Sequence, residues 1–125
     1  MKLSLDIGDG NYVITGYEPG VVYINATAYR QNLLITPENL YTEWSLGPLA
    51  DLQVSAFDCL RPQLPDVLLL GTGTRLRWPD RKLLPTLREA GVGLEVMDTA
   101  AACRTYNILM AEGRTVAAGL ILEEA

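Results

Sequence analysis

The sequence predicts a three-layer α/β fold: β hairpins plus a helix on one side, a central mixed sheet, then helices on the other. Three observations predict it. Residues 1–46 carry short alternating apolar runs cut by Gly and Pro, the pattern of a hairpin-rich antiparallel unit. Val67-Leu68-Leu69-Leu70 is apolar at every position and too short for a helix, which reads as a central strand covered on both faces. From Val67 to Leu122 the pattern runs strand, helix, strand, helix, strand, and this order requires right-handed crossovers and at least two parallel neighbours. With 125 residues, about half of them apolar, the chain reads as one domain that buries roughly two thirds of its unfolded surface without staples.

Met1 to Asp6 alternates like a strand, and Gly8-Asp9-Gly10-Asn11 supplies turn chemistry. Tyr12 to Gly16 is a second strand. Tyr17-Glu18-Pro19-Gly20 places Pro and Gly where a type II turn wants them. Val21 to Asn25 and Asn32 to Thr36 follow as strands, Pro37 ends the latter, and Leu40 to Trp44 adds a short one. Leu49 to Leu60 has apolar residues near helical spacing (Leu49, Leu52, Ala56, Cys59, Leu60), closed by Pro62 and Pro65. A helix from Arg81 to Ala90 has Pro85 at or near its first turn and Gly91 as its cap. Leu94 to Met97 is a strand, Thr99 to Glu112 a longer helix, Thr115 to Leu122 a final strand, and Glu123 to Ala125 an acidic tail.

Composition removes several function classes. A net charge of −5 argues against nucleic-acid binding, which needs a surplus of Lys and Arg. There is no histidine, so the commonest general base and metal ligand is missing. Cys59 and Cys103 are far apart, form no metal-binding pair, and read as small buried thiols in apolar helical patterns. No apolar run approaches the roughly 18 residues of a membrane span, and the start resembles neither a secretory signal nor a mitochondrial presequence. The expectation is a cytoplasmic protein without cofactor or metal. No Ser, Cys or carboxylate stands in a catalytic constellation, so no catalytic residue is assigned.

Two loops nevertheless face one way. A buried strand stops at Gly71-Thr72-Gly73, and a second stops at Asp98-Thr99 before a helix carrying Thr105 and Asn107. Open parallel sheets build their crevices at such carboxyl edges. The glycines match neither a dinucleotide fingerprint nor a phosphate-binding loop, since the third Gly and the Gly-Lys-Ser/Thr ending are absent. Gly71, Thr72, Gly73, Asp98, Thr99, Thr105 and Asn107 are therefore a candidate small-ligand crevice. The competing reading is structural: a steep strand exit with close backbone approach at the glycines, a helix cap at Asp98, and local hydrogen bonds for Thr105 and Asn107. Thr105 shares a helical face with Ala101 and Ile108, which points it inward. Arg75, Arg77, Trp78 and Arg81, with Lys82, form a basic, aromatic patch suited to a partner, because Arg and Trp are enriched in binding hot spots. The alternative there is a solvated loop with Trp78 folded over the core.

Four segments in order carry a family resemblance: Leu69 to Gly73, Gly91 to Thr99, Ala102 to Leu109, and Glu112 to Ala118. Together they resemble the Mth938-domain family of unknown function, which includes a mitochondrial respiratory complex I assembly factor and an adipogenesis-associated cytosolic protein. The resemblance covers Gly16 to Leu122. It implies a three-layer Mth938-like α/β fold, no established enzymatic activity, and work through a protein partner. The leading expectation is thus a non-catalytic interaction domain assisting assembly of a membrane-associated, respiratory-type complex, with any membrane association peripheral and through a partner. Its rivals are a small-molecule binder or unrecognised enzyme using the crevice, and a scaffold acting as a homo-oligomer.

Overall fold

The structure, a computed structural model, describes residues 11–122. The alternating segment at residues 1–6 and the acidic tail at 123–125 lie outside the described residues. Strands β1 (Ile14–Glu18), β2 (Val21–Ile24) and β3 (Thr27–Tyr29) form an antiparallel meander. A second, five-stranded sheet is built from β4 (Leu33–Ile35), β5 (Leu40–Tyr41), β6 (Val67–Gly71), β7 (Gly93–Met97) and β8 (Val116–Leu120), in the order β5-β4-β8-β6-β7. Helix α1 (Leu83–Glu89) joins β6 to β7, and α2 (Thr99–Ala111) joins β7 to β8.

This sheet is mixed, as the sequence predicts. β6 runs parallel to β7 on one side and to β8 on the other, whereas β4 is antiparallel to β5 and β8. Side chains alternate across β6. Val67 and Leu69 join Ile14, Val22, Ala102, Cys103, Tyr106 and Met110 in a core beneath α2 and the meander. Leu68 and Leu70 join Trp44, Leu52, Phe57, Leu83 and Leu87 in a core on the opposite face. Leu68, Leu69 and Leu70 are almost wholly buried, and each such side chain contributes roughly 1.5–3 kcal/mol. The apolar run therefore marks a doubly covered strand, and the two faces give the three layers.

Several boundaries differ from the sequence reading. β1 starts two residues later than the strand read at Tyr12, and it extends to Glu18, so Pro19-Gly20 alone makes the turn to Val21. β3 went unread because Asn25-Ala26 has no glycine, yet both residues adopt left-handed backbone, with φ of 50° and 71°. The Asn25 side chain stabilises that turn by accepting from Val13 N–H at 2.9 Å, and Thr15 Oγ1 accepts from Ala26 N–H at 3.2 Å.

The helix expected over Leu49 to Leu60 is instead two 3₁₀ segments, Leu49–Asp51 and Val54–Leu60. Extended backbone at Leu52 and Gln53 separates them, and Phe57 kinks the second. Trp44 supplies part of the reason. Its indole Nε1 donates to the Ala56 carbonyl at 2.8 Å, the acceptor an α-helix would offer to residue 60. The broken segment buries Phe57 and Leu60 and turns Cys59 outward, so only Cys103 is the buried thiol the sequence suggests for both. Gly119 of β8 makes room for Trp44, because a Cβ there would lie 2.7 Å from the indole.

Candidate functional site

The carboxyl ends of β6 and β8 meet the start of α2. Five of the seven crevice residues converge there, and the Thr72 and Thr99 hydroxyls and the Gly73 backbone are bound to one another or to neighbouring backbone. Thr99 is fully buried. Its hydroxyl accepts from Gly73 N–H and donates to the Ile121 carbonyl, both at 2.8 Å. Thr99 N–H returns a bond to the Gly73 carbonyl at 2.9 Å, and Ile121 N–H donates to the Gly71 carbonyl at 2.9 Å. Gly71 permits this approach: a Cβ added there would stand 2.9 Å from the Thr99 Cα. Asp98 caps the helix, accepting from Ala101 N–H at 2.8 Å.

Thr72 is equally buried and ties the crevice to the basic loop. Its N–H donates to the Met97 carbonyl at 2.9 Å. Its hydroxyl donates to the Arg75 carbonyl at 2.8 Å and accepts from Arg77 N–H at 3.0 Å. The Arg77 guanidinium then folds back, donating from Nε and Nη2 to the Thr72 carbonyl at 3.2 and 3.1 Å. Arg77 is thus a strut of the loop. Arg75, Arg81 and Lys82 are exposed around it. Trp78 is 67% exposed, so it does not fold over the core, and Leu76 and Leu84 are exposed beside it in sequence.

Thr105 and Asn107 lie apart from this centre. Helix α2 buries Thr99, Ala102, Cys103, Tyr106 and Met110, while Ile108 is 58% exposed. The inward face read through Ala101, Thr105 and Ile108 is therefore corrected: Tyr106 and its partners one turn away point inward, and Thr105 is half-buried at the boundary. Asn107 clamps β1 through both ends of its amide. Oδ1 accepts from Ile14 N–H at 3.1 Å, and Nδ2 donates to the Ile14 carbonyl at 2.7 Å. Tyr106 adds a bond from its hydroxyl to the Tyr12 carbonyl at 2.8 Å.

Electrostatics here serve the fold. Burial pushes the Cys103 thiol up to about 12, partly offset by the neighbouring Arg104. Burial also raises the Tyr106 phenol well above its ordinary value, with Glu38 adding to the effect. A raised acid is protonated in the fold and ionised in the unfolded chain between the two values. The stability these two groups contribute is therefore fully present below about pH 9 and is lost as pH rises toward 12, Cys103 accounting for up to about 1.4 kcal/mol per pH unit. Urea unfolding at rising pH should show this decline, and Cys103→Ala should make it shallower. An identical slope in the variant would remove Cys103 from the account.

Sequence reasoning missed a cleft of about 730 Å³ at the other end of the sheet, lined among others by Glu38, Arg61, Leu64, Met110, Arg114 and Thr115. It forms where the β4–β5 turn, the segment after Leu60 and the α2–β8 turn converge. The only sequence signal was the cluster of Pro37, Pro62 and Pro65, which all line it.

With this geometry in place, a family model described as a protein of unknown function (DUF498/DUF598) matches residues 14–121. The chain belongs to this family. Among the proteins similar to this chain is a zebrafish (Danio rerio) protein named NADH dehydrogenase [ubiquinone] 1 alpha subcomplex assembly factor 3. It is 37% identical over 112 residues, covering 87% of this chain and 63% of the relative. The chain spans less than two thirds of the length of the assembly-factor relatives it matches. Solved structures agree on the fold. A Bordetella parapertussis crystal structure superposes with a TM-score of 0.82 at 35% identity, covering 93% of this chain and 99% of that one. A Mth938-like domain from Bordetella pertussis gives 0.76 at 31% identity, covering 98% and 92% respectively. The three-layer α/β architecture expected from the sequence is thus the Mth938-like fold of the family. Among the described residues no helix is long and apolar enough to cross a membrane.

Proposed function

We propose that this chain is a non-catalytic interaction domain that assists assembly of a membrane-associated, respiratory-type complex through a protein partner. One observation carries the reading: a loop that presents Trp78 to solvent between Arg75 and Arg81 on a rigid base made by Thr72 and Arg77. An exposed Trp flanked by cations has the composition of a binding hot spot, and a preformed loop loses little freedom on docking. The relatives named as complex I assembly factors support the direction of this reading. The polar groups of Thr72, Gly73 and Thr99 are engaged within the fold, which favours a role for the crevice in holding the loop.

The test is affinity capture from detergent-solubilised membranes of the source organism, comparing wild type with Arg75→Ala/Trp78→Ala/Arg81→Ala. Arg77 is left intact because its removal would disturb the loop itself. Subunits of a respiratory-type complex should be retained by wild type and reduced at least tenfold with the variant, a loss of about 1.4 kcal/mol or more. Equal retention by both proteins would dismiss the loop as the docking surface. Failure of wild type to retain any such subunit would count against the assembly role.

A further inference from the structure

Among the described residues, Leu76, Trp78, Leu84 and Ile108 are the exposed large hydrophobics, and three of these four lie between positions 76 and 84. The same stretch holds Arg75, Arg77, Arg81 and Lys82, four of the chain's ten cationic side chains, although the whole chain carries −5. Its one acid, Asp80, is turned to its own backbone, accepting from Lys82 N–H at 2.9 Å. Apolar and cationic groups are therefore concentrated on the loop between β6 and α1 and on the first turn of α1.

We propose that this loop docks on an anionic lipid bilayer, with Trp78 at the headgroup boundary, Leu76 and Leu84 beside it, and Arg75, Arg81 and Lys82 among lipid phosphates. The inference rests on the reading that this loop carries the domain to a membrane complex, and it assigns the lipid around that complex, in place of the partner's own side chains, as what Trp78, Arg75 and Arg81 meet. Three features favour lipid over an acidic protein segment. Indole rings settle at membrane interfaces, where one edge is apolar and the other wet. Arg75, Arg81 and Lys82 are solvated cations that need no matched acceptor geometry, as a fluid headgroup layer requires. Outside residues 75–84 the chain holds 14 acidic and 6 basic residues, a net −8, so an anionic surface favours approach by this loop over the acidic remainder. The Thr72–Arg77 network holds the loop while Trp78 inserts.

The purified full chain can be mixed with vesicles of pure phosphatidylcholine and with vesicles of equimolar phosphatidylcholine and phosphatidylglycerol. Co-sedimentation with the anionic vesicles alone is expected, weakening as salt rises. Trp emission should shift to the blue on binding. Trp44 is buried and hydrogen-bonded to Ala56, so it supplies a constant background and the shift reports Trp78.

Each cation removed should weaken binding about fivefold. Arg75→Glu/Arg81→Glu/Lys82→Glu, all exposed positions, should therefore lose more than a hundredfold while keeping the wild-type circular dichroism and melting temperature. Trp78→Phe should retain sedimentation and lose the emission shift. Absence of sedimentation with anionic vesicles at low salt overturns the proposal, as does binding unaltered by the triple charge reversal or binding without a change in Trp78 emission. If vesicles are not bound while capture of complex subunits still depends on Trp78, the loop is a protein-docking face and the assembly reading stands. If vesicles are bound and no subunit is captured, lipid docking stands and the assembly reading falls.

Discussion

Gly71→Ala should destabilise the fold by about 2–3 kcal/mol, at the upper end of what overpacking a closed interior costs. The added Cβ would stand 2.9 Å from the Thr99 Cα, 3.0 Å from its hydroxyl and 3.1 Å from the Ala102 Cβ. The nearest of these atoms is backbone, and it cannot swing aside as the end of a flexible side chain can. The first turn of α2 must lift from β6, which strains the Thr99 bonds to Gly73 and Ile121. Urea unfolding should show a lower midpoint with an unchanged slope. A loss under about 0.5 kcal/mol, the size of an ordinary surface substitution, would show that the contact has slack.

Thr99→Val should cost about 2–6 kcal/mol for a different reason. Valine has nearly the same shape, so packing is kept and chemistry is lost. Gly73 N–H loses its acceptor and the Ile121 carbonyl loses the hydroxyl donor, both at a side chain with no solvent exposure. Orphaning a buried polar group costs about 1–3 kcal/mol each. Thr99→Ser restores the hydroxyl and should recover most of the loss, which separates hydrogen bonding from volume in a thermal melt. If Ser and Val were equally destabilised, the missing methyl or a strained backbone would be responsible instead. Gly71→Ala and Thr99→Val touch one another, so their combined effect should depart from the sum of the two.

The sequence made the doubly covered strand legible because nothing polar interrupts Val67 to Leu70, with Pro65-Asp66 before it and Gly71-Thr72-Gly73 after it. The Asp98 cap and the long helix after it were legible for the same kind of reason: local chemistry decides them. Leu49 to Leu60 was misread because its backbone path involves Trp44, a residue outside the segment whose indole donates to the Ala56 carbonyl within it. The left-handed Asn25-Ala26 pair was hidden likewise, since side chains of Asn25 and Thr15 stabilise a conformation that alanine alone disfavours. In the loop, composition singled out Arg75, Arg77, Trp78 and Arg81 together. Only the fold separates Arg77, bound to Thr72, from the exposed groups around it. For α2 the spacing of Ala101, Thr105 and Ile108 pointed to the wrong inward face, because the face that packs carries Tyr106 with Ala102, Cys103 and Met110.

The clamp between Asn107 and Ile14 has a consequence for how this molecule coexists with its own copies. Among the described residues β1 is the outer strand of the three-stranded sheet, and main-chain groups left open at such a border are in general a template on which another chain can polymerise. The Asn107 amide offers Ile14 one acceptor and one donor side by side, the same pair that an adjoining strand would present. At that position a helix side chain impersonates the next strand. Further growth of the sheet through Ile14 would first have to evict it.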